Sequence, residues 1–241
     1  MAETLFISDL HLKPEHPDTI ELFLRFLREQ ARDANRLYIL GDLFDAWIGD
    51  DYDAPPIPKI LAAMGALAAT GTDLCFMRGN RDFLVGERFA AITGCTLLDD
   101  PCTVTIDNRN VLLMHGDLLC SDDIDYQKTR SLVRSPAFIE ELLTKPIPER
   151  IALAAEFRRR SGEAISMKAQ EIMDVNQATV VQTMREAGVD LLIHGHTHRP
   201  NHHHFQLDGR EATRIVLPEW QEGRGGFLRA RGSVWTTEWW S

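Results

Sequence analysis

The chain has 241 residues, of which 44% are hydrophobic, and this is enough for one domain with a substantial core. Its 26 basic and 36 acidic residues give a formal net charge of −10, which argues against a nucleic-acid-binding protein because such proteins need a basic face. No basic and apolar signal segment precedes the first predicted strand, and no apolar run approaches the length of about 20 residues that spans a membrane. We therefore expect a single domain over residues 1–241, in a monomer located in the cytosol.

The first half of the chain alternates short apolar runs with amphipathic segments. The first helix is predicted after Pro17, from apolar residues that recur at helical spacing: Ile20, Phe23, Leu24, Leu27 and Ala31. A second helix is predicted over about 57–69, before Gly71, and a third from Asp82 to Gly94. This alternation of strands and helices indicates an α/β fold with a largely parallel central sheet.

The second half contains β-rich ends around a helical insertion. Hairpins are predicted around residues 107–110 and at Asp208-Gly209, and residues 233–240 resemble a strand. No strand is evident between Ser121 and Gly188, which predicts a helical insertion over about 122–188. Prolines at 136, 146 and 148 predict that it is divided into short helices. Its apolar residues suit either a subdomain with its own core or a lid that binds acyl chains and phosphate.

Five predicted strands are each followed directly by a polar cluster. These strands are the apolar runs 4–7, 37–40, 74–77, 111–114 and 191–193. The clusters are Asp9-x-His11, Gly41-Asp42, Gly79-Asn80-Arg81-Asp82, His115 and Gly195-His196-Thr197-His198. Each alone has a plainer interpretation, as a turn, a surface loop or a helix N-cap at Asp82. Together, in this order and at strand ends, they predict a site for two divalent metal ions at one edge of the sheet.

These clusters resemble those of the calcineurin-type metallophosphoesterase superfamily, from Asp9 to His198. Several longer segments are similar to the UDP-2,3-diacylglucosamine hydrolases of lipid A synthesis: residues 38–51, 79–84, 115–117, 172–177 and 193–200. The resemblance implies two mixed β-sheets packed face to face and flanked by helices, with a helical lid. It also implies an enzyme that associates peripherally with the cytoplasmic face of the inner membrane, where its lipid-linked nucleotide substrate lies.

The resemblance further implies a set of roles for individual residues. One metal ion would bind Asp9, His11, Asp42 and His198, and the other would bind Asp42, Asn80, His115 and His196. Carboxylate, imidazole and amide ligands suit Mn²⁺, Zn²⁺ or Fe²⁺, and of these we expect Mn²⁺. The two ions would activate a hydroxide that attacks the α-phosphorus of UDP-2,3-diacylglucosamine, giving UMP and 2,3-diacylglucosamine 1-phosphate. The implied catalytic residues are Asp42, Asn80, Arg81, His115 and His196, and the implied substrate contacts are Asn80, Arg81, Asp123, Tyr126, Arg158, Ser161, Lys168 and His196.

Two positions depart from the patterns that the resemblance provides. Many superfamily members have a histidine where this chain has Arg81, and that histidine is thought to assist the leaving group. Arginine cannot act as a general acid, but it can bind phosphoryl oxygens through two parallel hydrogen bonds. Arg81 therefore favours cleavage of a pyrophosphate, whose leaving group needs little protonation. At the second position, Ile165 stands where the family often has Asn, which removes one expected sugar or acyl contact.

Two other classes of function remain open from the sequence. One is a different dinuclear-metal hydrolase, such as a dinucleoside polyphosphate hydrolase or a phosphodiesterase. The other is a metal-free binding module of the same fold, which the intact ligand set opposes. His202-His203-His204 follows Pro200 and the last ligand, so we interpret it as a loop leading into a strand. The four cysteines form no Cys-x-x-Cys pair, and none is assigned a role.

Overall fold

Two mixed β-sheets form the body of the protein. A computed structural model of the chain describes residues 2–167 and 174–241, and the side chains of residues 160–167 lie outside the description. The first sheet is built from β1 (Glu3–Ile7), β2 (Arg36–Leu40), β3 (Asp73–Met77), β4 (Thr96–Leu98), β10 (Gly225–Arg231) and β11 (Val234–Trp240). Its strand order is β11-β10-β1-β2-β3-β4, with β1 to β4 parallel and β10 antiparallel to both of its neighbours, β1 and β11.

The second sheet contains the remaining strands of the described chain. They are β5 (Cys102–Ile106), β6 (Arg109–Met114), β7 (Leu191–His194), β8 (Asn201–Leu207) and β9 (Arg210–Val216), in the order β5-β6-β7-β9-β8. Strands β6, β7 and β9 are parallel, whereas β5 and β8 are the antiparallel outer strands. The hairpins predicted around residues 107–110 and at Asp208-Gly209 are confirmed.

Apolar side chains fill three layers, because successive residues of each strand point to opposite faces of its sheet. Phe6 and Tyr38 stack between the two sheets, where they join Leu113 and Ile193. Their neighbours Leu5, Ile7, Leu37 and Ile39 face the helices that cover the first sheet. These helices are α1 (Pro17–Phe26), which continues as a π-helical turn over Leu27–Ala31, α2 (Ile57–Ala69) and α3 (Glu87–Thr93). The predicted α/β architecture of two packed sheets is confirmed.

The third predicted helix begins later than its sequence indicated. Asp82 is buried and does not cap α3, because its carboxylate accepts hydrogen bonds from the backbone N–H groups of Gly79 at 2.7 Å and Leu43 at 2.8 Å. The carboxylate of Asp50 instead accepts the N–H groups of Gly86 and Phe89 at the start of α3. Residues 82–86 therefore form a loop, in which Asp82 holds the backbone just beyond the ends of β2 and β3.

Four α-helices lie between β6 and β7 in the described chain: α4 (Ile124–Val133), α5 (Pro136–Thr144), α6 (Ile147–Met167) and α7 (Gln177–Ala187). The prediction of short helices throughout was wrong for α6, which has 21 residues. Pro148 lies in its first turn, where the missing N–H is not needed by the helix. Val180 and Met184 of α7 pack on the second sheet. We therefore use "helical insertion" for α4–α6 alone.

The helical insertion is attached to the loop that follows β2. The guanidinium of Arg150, only 4% exposed, donates to Ile48 O and Asp51 Oδ1, both at 2.7 Å. Leu142 is buried in the same apolar cluster as Trp47 and Leu84. The insertion thus covers the β2 loop. Within residues 2–167 and 174–241, no helix combines the length and apolar character that crossing a bilayer requires.

Candidate active site

The predicted ligands converge at the carboxyl ends of β1, β2, β3, β6 and β7. Most of them adopt a left-handed backbone that non-glycine residues rarely occupy: Asp9 (φ 57°), His11 (47°), Asp42 (53°), His196 (67°) and His198 (54°). Such a conformation costs about 1–3 kcal/mol at each position and persists where the surrounding structure enforces it. Strain concentrated on these residues marks the strand ends as a functional site.

One cluster of ligand atoms is formed by Asp9, His11 and His198. The Nε2 atoms of the two histidines are 3.4 Å apart, and His198 Nε2 is also 3.4 Å from Asp9 Oδ1. Asp9 Oδ1 is buried and accepts no hydrogen bond from the described residues. Its partner atom Oδ2 accepts the backbone N–H of His196 at 2.8 Å. A metal ion suits this position, because it would bind both imidazole nitrogens and the buried carboxylate oxygen, which has no hydrogen-bond donor of its own in the described chain.

A second cluster is centred on the side-chain oxygen of Asn80. Asn80 Oδ1 lies 2.9 Å from His115 Nε2 and 3.0 Å from His196 Nδ1. The other ring nitrogen of His115, Nδ1, donates to Leu40 O at 2.9 Å, which leaves Nε2 as the atom directed into the site. These three atoms belong to residues of the second ligand set that the resemblance implied, whose fourth member is Asp42.

Asp42 lies between the two clusters. Asp42 Oδ1 is 3.7 Å from His115 Nε2, and the three residues Asp9, Asp42 and His115 place one ligand atom each within 4.8 Å of one another. Gly79 permits this approach, because a Cβ at that position would lie 2.1 Å from Asp42 Oδ1. The position of Asp42 suits the bridging role that the resemblance implied.

The electrostatic environment of the clusters favours cations. Burial alone would lower the pKa of His115, but the carboxylates of Asp42, Asp117 and Asp9 outweigh it and raise the pKa to about 9. Burial and the neighbouring His115 lower the pKa of His196 to about 4. Carboxylates that hold a proton on a fully buried imidazole create a negative potential, which also attracts a divalent metal ion. The residues present therefore fit a metal centre in both geometry and charge.

Several supporting residues could not be recognised from the sequence. His194 Nε2 accepts a hydrogen bond from Arg214 Nη1 at 3.0 Å, and its Nδ1–H donates to Gly195 O at 2.8 Å. Burial and the charge of Arg214 lower the pKa of His194 to about 3, so its ring is neutral. Because Arg214 comes from β9, no local sequence signal connects it with the ligand loop.

The residues predicted to contact substrate have different surroundings. Asn80, Arg81 and Arg158 line one cleft, whereas Asp123 caps α4 by accepting the N–H of Tyr126 at 3.1 Å. The hydroxyl of Tyr126 donates to Asp117 Oδ2 at 2.8 Å, and its ring lies against His196 with centroids 5.9 Å apart. Lys168 and the side chains of Ser161 and Ile165 lie outside the described residues.

The cleft runs from the ligands to the underside of the helical insertion. It contains about 470 Å³ of space, part of it open to solvent. Its walls are mainly apolar and come from both the body and the insertion: Ala46, Trp47, Ile48, Phe83, Leu84, Leu142, Leu153, Ala154 and Phe157. Asn80 and Arg81 form the end nearest the ligand clusters, and Arg158 and Asp45, which form an ion pair, also line the cleft. The site therefore joins a polar centre to an apolar channel.

Known proteins share this combination of fold and motifs. Residues 3–200 match the sequence model of the calcineurin-like phosphoesterase family. Proteins named UDP-2,3-diacylglucosamine hydrolase are similar to nearly the whole chain. One from Chromohalobacter salexigens is 52% identical over 226 residues, which cover 94% of this chain and 92% of that protein. Another, from Stenotrophomonas maltophilia, is 49% identical over 242 residues, which cover 98% of this chain and 97% of that protein. A solved archaeal phosphodiesterase has a TM-score of 0.52 at 13% identity, covers 98% of both chains, and shares the fold. The chain therefore belongs to the calcineurin-like phosphoesterases and, within them, to the UDP-2,3-diacylglucosamine hydrolase family.

Proposed function

We propose that this chain hydrolyses the pyrophosphate bond of UDP-2,3-diacylglucosamine and releases UMP and 2,3-diacylglucosamine 1-phosphate, a step of lipid A synthesis. The observation that carries the proposal is the position of Asn80 and Arg81, which lie where the ligand clusters meet the apolar cleft. A pyrophosphate held there would have its attached acyl chains directed between apolar walls. The substrate named for the relatives has this composition.

The ligand clusters would hold two divalent metal ions, and we propose Mn²⁺. The first ion would be held by Asp9, His11, Asp42 and His198, and the second by Asp42, Asn80, His115 and His196. Carboxylate, imidazole and amide donors without any thiolate favour an ion of this type. When bound, such a pair of ions lowers the pKa of a water molecule and neutralises phosphoryl oxygens.

Arg81 would bind the pyrophosphate directly. Its backbone N–H donates to Asp42 Oδ1 at 2.8 Å, which fixes the residue beside the ligands. Its guanidinium makes no hydrogen bond to any of the described residues, and it lines the cleft. Because arginine stays protonated, it stabilises negative charge on the phosphoryl oxygens and does not protonate the leaving group. The leaving group must then be a weak base, which a phosphate monoester with a second pKa of about 6 is.

The apolar cleft would receive the two acyl chains. Leu142, Leu153 and Phe157 contribute to its walls from the helical insertion, while Trp47 and Phe83 contribute from the body. Each methylene group that leaves water there stabilises the complex by about 0.8 kcal/mol. The insertion would therefore act as a lid that selects a lipid-linked nucleotide over a small phosphate ester.

Arg158 would bind the sugar phosphate after its ion pair with Asp45 breaks. In the structure its guanidinium is paired with the carboxylate of Asp45 at the cleft. The side chain of Arg158 is 41% exposed, so breaking this pair costs at most about 1 kcal/mol. The two oxygens of a phosphate group would offer it a stronger, bidentate partner. We also propose that Asp123, Tyr126, Ser161, Lys168 and His196 contact the substrate.

Exposed apolar side chains support peripheral contact with the inner membrane. Of the large hydrophobic residues that are exposed in the described chain, most lie on the helical insertion: Ile124, Leu132, Leu143, Ile151 and Phe157. Apolar groups in this position beside a lipid-binding cleft suit a surface that contacts acyl chains at a membrane. Sedimentation with anionic lipid vesicles, compared with a variant carrying Leu132→Ser and Ile151→Ser, measures this contact.

Two alternative functions are less well supported. A dinucleoside polyphosphate hydrolase or a phosphodiesterase would use the same ligands, but its substrates would leave the apolar cleft unfilled. A metal-free binding module would not need the strained ligand residues or the negative potential around His115. The geometry therefore favours a metal-dependent hydrolase of a lipid-linked pyrophosphate.

A side-by-side turnover assay tests this proposal. The protein loaded with Mn²⁺ is given UDP-2,3-diacylglucosamine, a dinucleoside tetraphosphate and p-nitrophenyl phosphate at matched concentrations. We expect the lipid-linked substrate to be hydrolysed with the highest kcat/KM. A higher kcat/KM for the dinucleoside tetraphosphate would contradict the proposed substrate.

A further inference from the structure

Helix α4, the first helix of the insertion, is attached to the body without burying any of its residues. None of its ten residues is buried, and its apolar side chains Ile124 and Leu132 are 58% and 60% exposed. Most helices in proteins are held in place by an apolar face that packs against the rest of the fold. The position of α4 must therefore depend on polar contacts.

These contacts come from one face of the helix. Tyr126 and Arg130 of α4, and Arg134, which directly follows the helix, are spaced four residues apart and so project from the same side. Tyr126 Oη donates to Asp117 Oδ2 at 2.8 Å, and Arg130 Nε donates to the same oxygen at 2.7 Å. Arg134 Nη2 donates to the backbone oxygen of Gly79 at 3.0 Å. The face thus reaches the loops that follow β3 and β6.

Arg130 connects two buried carboxylates. Besides Asp117 it binds Asp100, through a hydrogen bond of 3.0 Å from Nη2 to Oδ2. The side chains of Asp117 and Asp100 are 0% and 5% exposed, and that of Arg130 is 13% exposed. Asp100 Oδ1 in turn accepts the backbone N–H of His115 at 3.2 Å. Two carboxylates at these depths require a cation between them, because isolated buried charges are strongly unfavourable.

The contacts of α4 are confined to one side of the site. The ring of Tyr126 lies against His196, a proposed ligand of the second metal ion. Arg130 reaches the backbone of a second such ligand, His115, through Asp100, and Arg134 bonds to Gly79, the residue before a third, Asn80. Within the described part of the chain, α4 makes no hydrogen bond to Asp9, His11 or His198. The two ligand sets therefore differ in their dependence on the helix.

From this arrangement we infer that Arg130 is a positioning residue for the second metal ion. It holds the end of β6, which carries His115, in a fixed relation to α4 and to the Asn80 loop. Arg130 would thus couple α4, the first helix of the helical insertion, to the second metal ion. The inference rests on the proposed two-metal centre, and it concerns metal affinity rather than substrate.

The test is a calorimetric Mn²⁺ titration of the metal-free protein and three variants, together with measured metal stoichiometry. Arg130→Met removes the charge while keeping most of the side-chain volume. Arg130→Lys keeps the charge, but its ammonium group can replace only part of the contact that the guanidinium makes with Asp117 and Asp100. Lys128→Met is the matched control, because Lys128 is an exposed cation on the same helix. Thermal unfolding of each variant confirms that it is folded.

We expect the natural protein to bind two ions. Arg130→Met should bind one ion with unchanged affinity and the other about 10- to 100-fold more weakly, which is the usual effect of losing a residue that orients metal ligands. Arg130→Lys should be intermediate, and Lys128→Met should bind both ions normally. If Arg130→Met does not fold, Tyr126→Phe, which removes a single hydrogen bond to Asp117, should weaken the same site several-fold.

Two results would overturn the inference while leaving the metal centre intact. One is a folded Arg130→Met protein with two unchanged affinities, and the other is an equal loss at both sites. If Tyr126→Phe is the variant that decides, unchanged binding overturns the inference as well. A natural protein that binds fewer than two ions would overturn the proposed two-metal centre itself, and the inference would fall with it.

Discussion

Glu219 lies 2.7 Å from His198, with its Oε2 atom against Nδ1 of the imidazole. The opposite ring nitrogen, Nε2, faces His11 and Asp9. A carboxylate in this position fixes the orientation of the ring and increases its basicity as a ligand. Glu219 comes from the loop between β9 and β10, so it supports the first ligand cluster from the body of the fold, whereas α4 of the helical insertion contacts the side of the site that holds the second.

Replacing Glu219 by alanine should therefore weaken the first metal site. We expect the Mn²⁺ affinity of that site to fall about 10-fold or more, because His198 loses the partner that orients it. The matched control is Glu222→Ala, which removes an exposed carboxylate from the same loop. Calorimetric titration measures both variants, and equal affinities in Glu219→Ala and Glu222→Ala would contradict the role of Glu219.

Asp42→Asn should abolish most activity. Asp42 is the one residue proposed to contact both ions, so the substitution removes negative charge from both coordination spheres. We expect kcat to fall at least about 100-fold, since even residues that only orient ligands contribute 10- to 100-fold. Chelation should inactivate the natural protein, and Mn²⁺ should restore activity at least as well as Mg²⁺. Full turnover by the metal-free protein would rule out the role of Asp42 as a ligand of catalytic metal ions.

Arg81→Ala should lower turnover without removing metal. A charge-assisted hydrogen bond contributes about 1.5–3 kcal/mol, which corresponds to a loss of roughly 10- to 100-fold in kcat. Metal analysis should find the same stoichiometry as in the natural protein, because the Arg81 side chain touches no ligand among the described residues. Loss of both ions in this variant would show instead that Arg81 is structural.

Phe157→Ala should impair recognition of the lipid. The side chain lines the cleft and is 38% exposed, so its removal should affect stability little. A buried Phe side chain contributes about 1.5–3 kcal/mol, so KM for the diacyl substrate should rise about 10-fold or more. Hydrolysis of a small soluble phosphodiester should barely change. Ile151→Ala is the control, because Ile151 is exposed on the same helix and does not line the cleft.

The outcome at Phe157 decides the role of the lid. If the lipid substrate and the soluble phosphodiester lose activity in parallel, the helical insertion is only structural. Leu142→Ala is a less direct probe, because Leu142 is 6% exposed and packs in the main apolar cluster as well as lining the cleft. Its loss should lower the free energy of unfolding by about 2–5 kcal/mol.

The strands and the strand ends could be predicted because their signals are local. A short apolar run followed at once by a polar ligand, as in Val111–His115, is readable within a few residues. Burial of Asp82 was not predictable in the same way. An aspartate before an amphipathic segment has the pattern of a helix cap, and only the packing of Gly79 and Leu43 around it shows its other role.

The supporting residues of the site escaped prediction because they are distant in sequence. Glu219 reaches His198 from another loop, and Arg130 joins Asp100 and Asp117 across 30 and 13 residues. Nothing in the composition of α4 distinguishes Arg130 from the exposed Lys128 two residues before it. Such contacts depend on how the two sheets bring separate loops together, which residue spacing alone does not determine.

Hydrolysis of UDP-2,3-diacylglucosamine in water enriched with oxygen-18 tests the central claim most directly. Mass spectrometry of both products, with metal-free and Asp42→Asn proteins as controls, identifies the phosphorus that is attacked. We predict manganese-dependent formation of UMP that carries one oxygen-18 atom and of unlabelled 2,3-diacylglucosamine 1-phosphate. The account would be contradicted if the label appeared in the sugar phosphate, or if the manganese-loaded protein formed neither product.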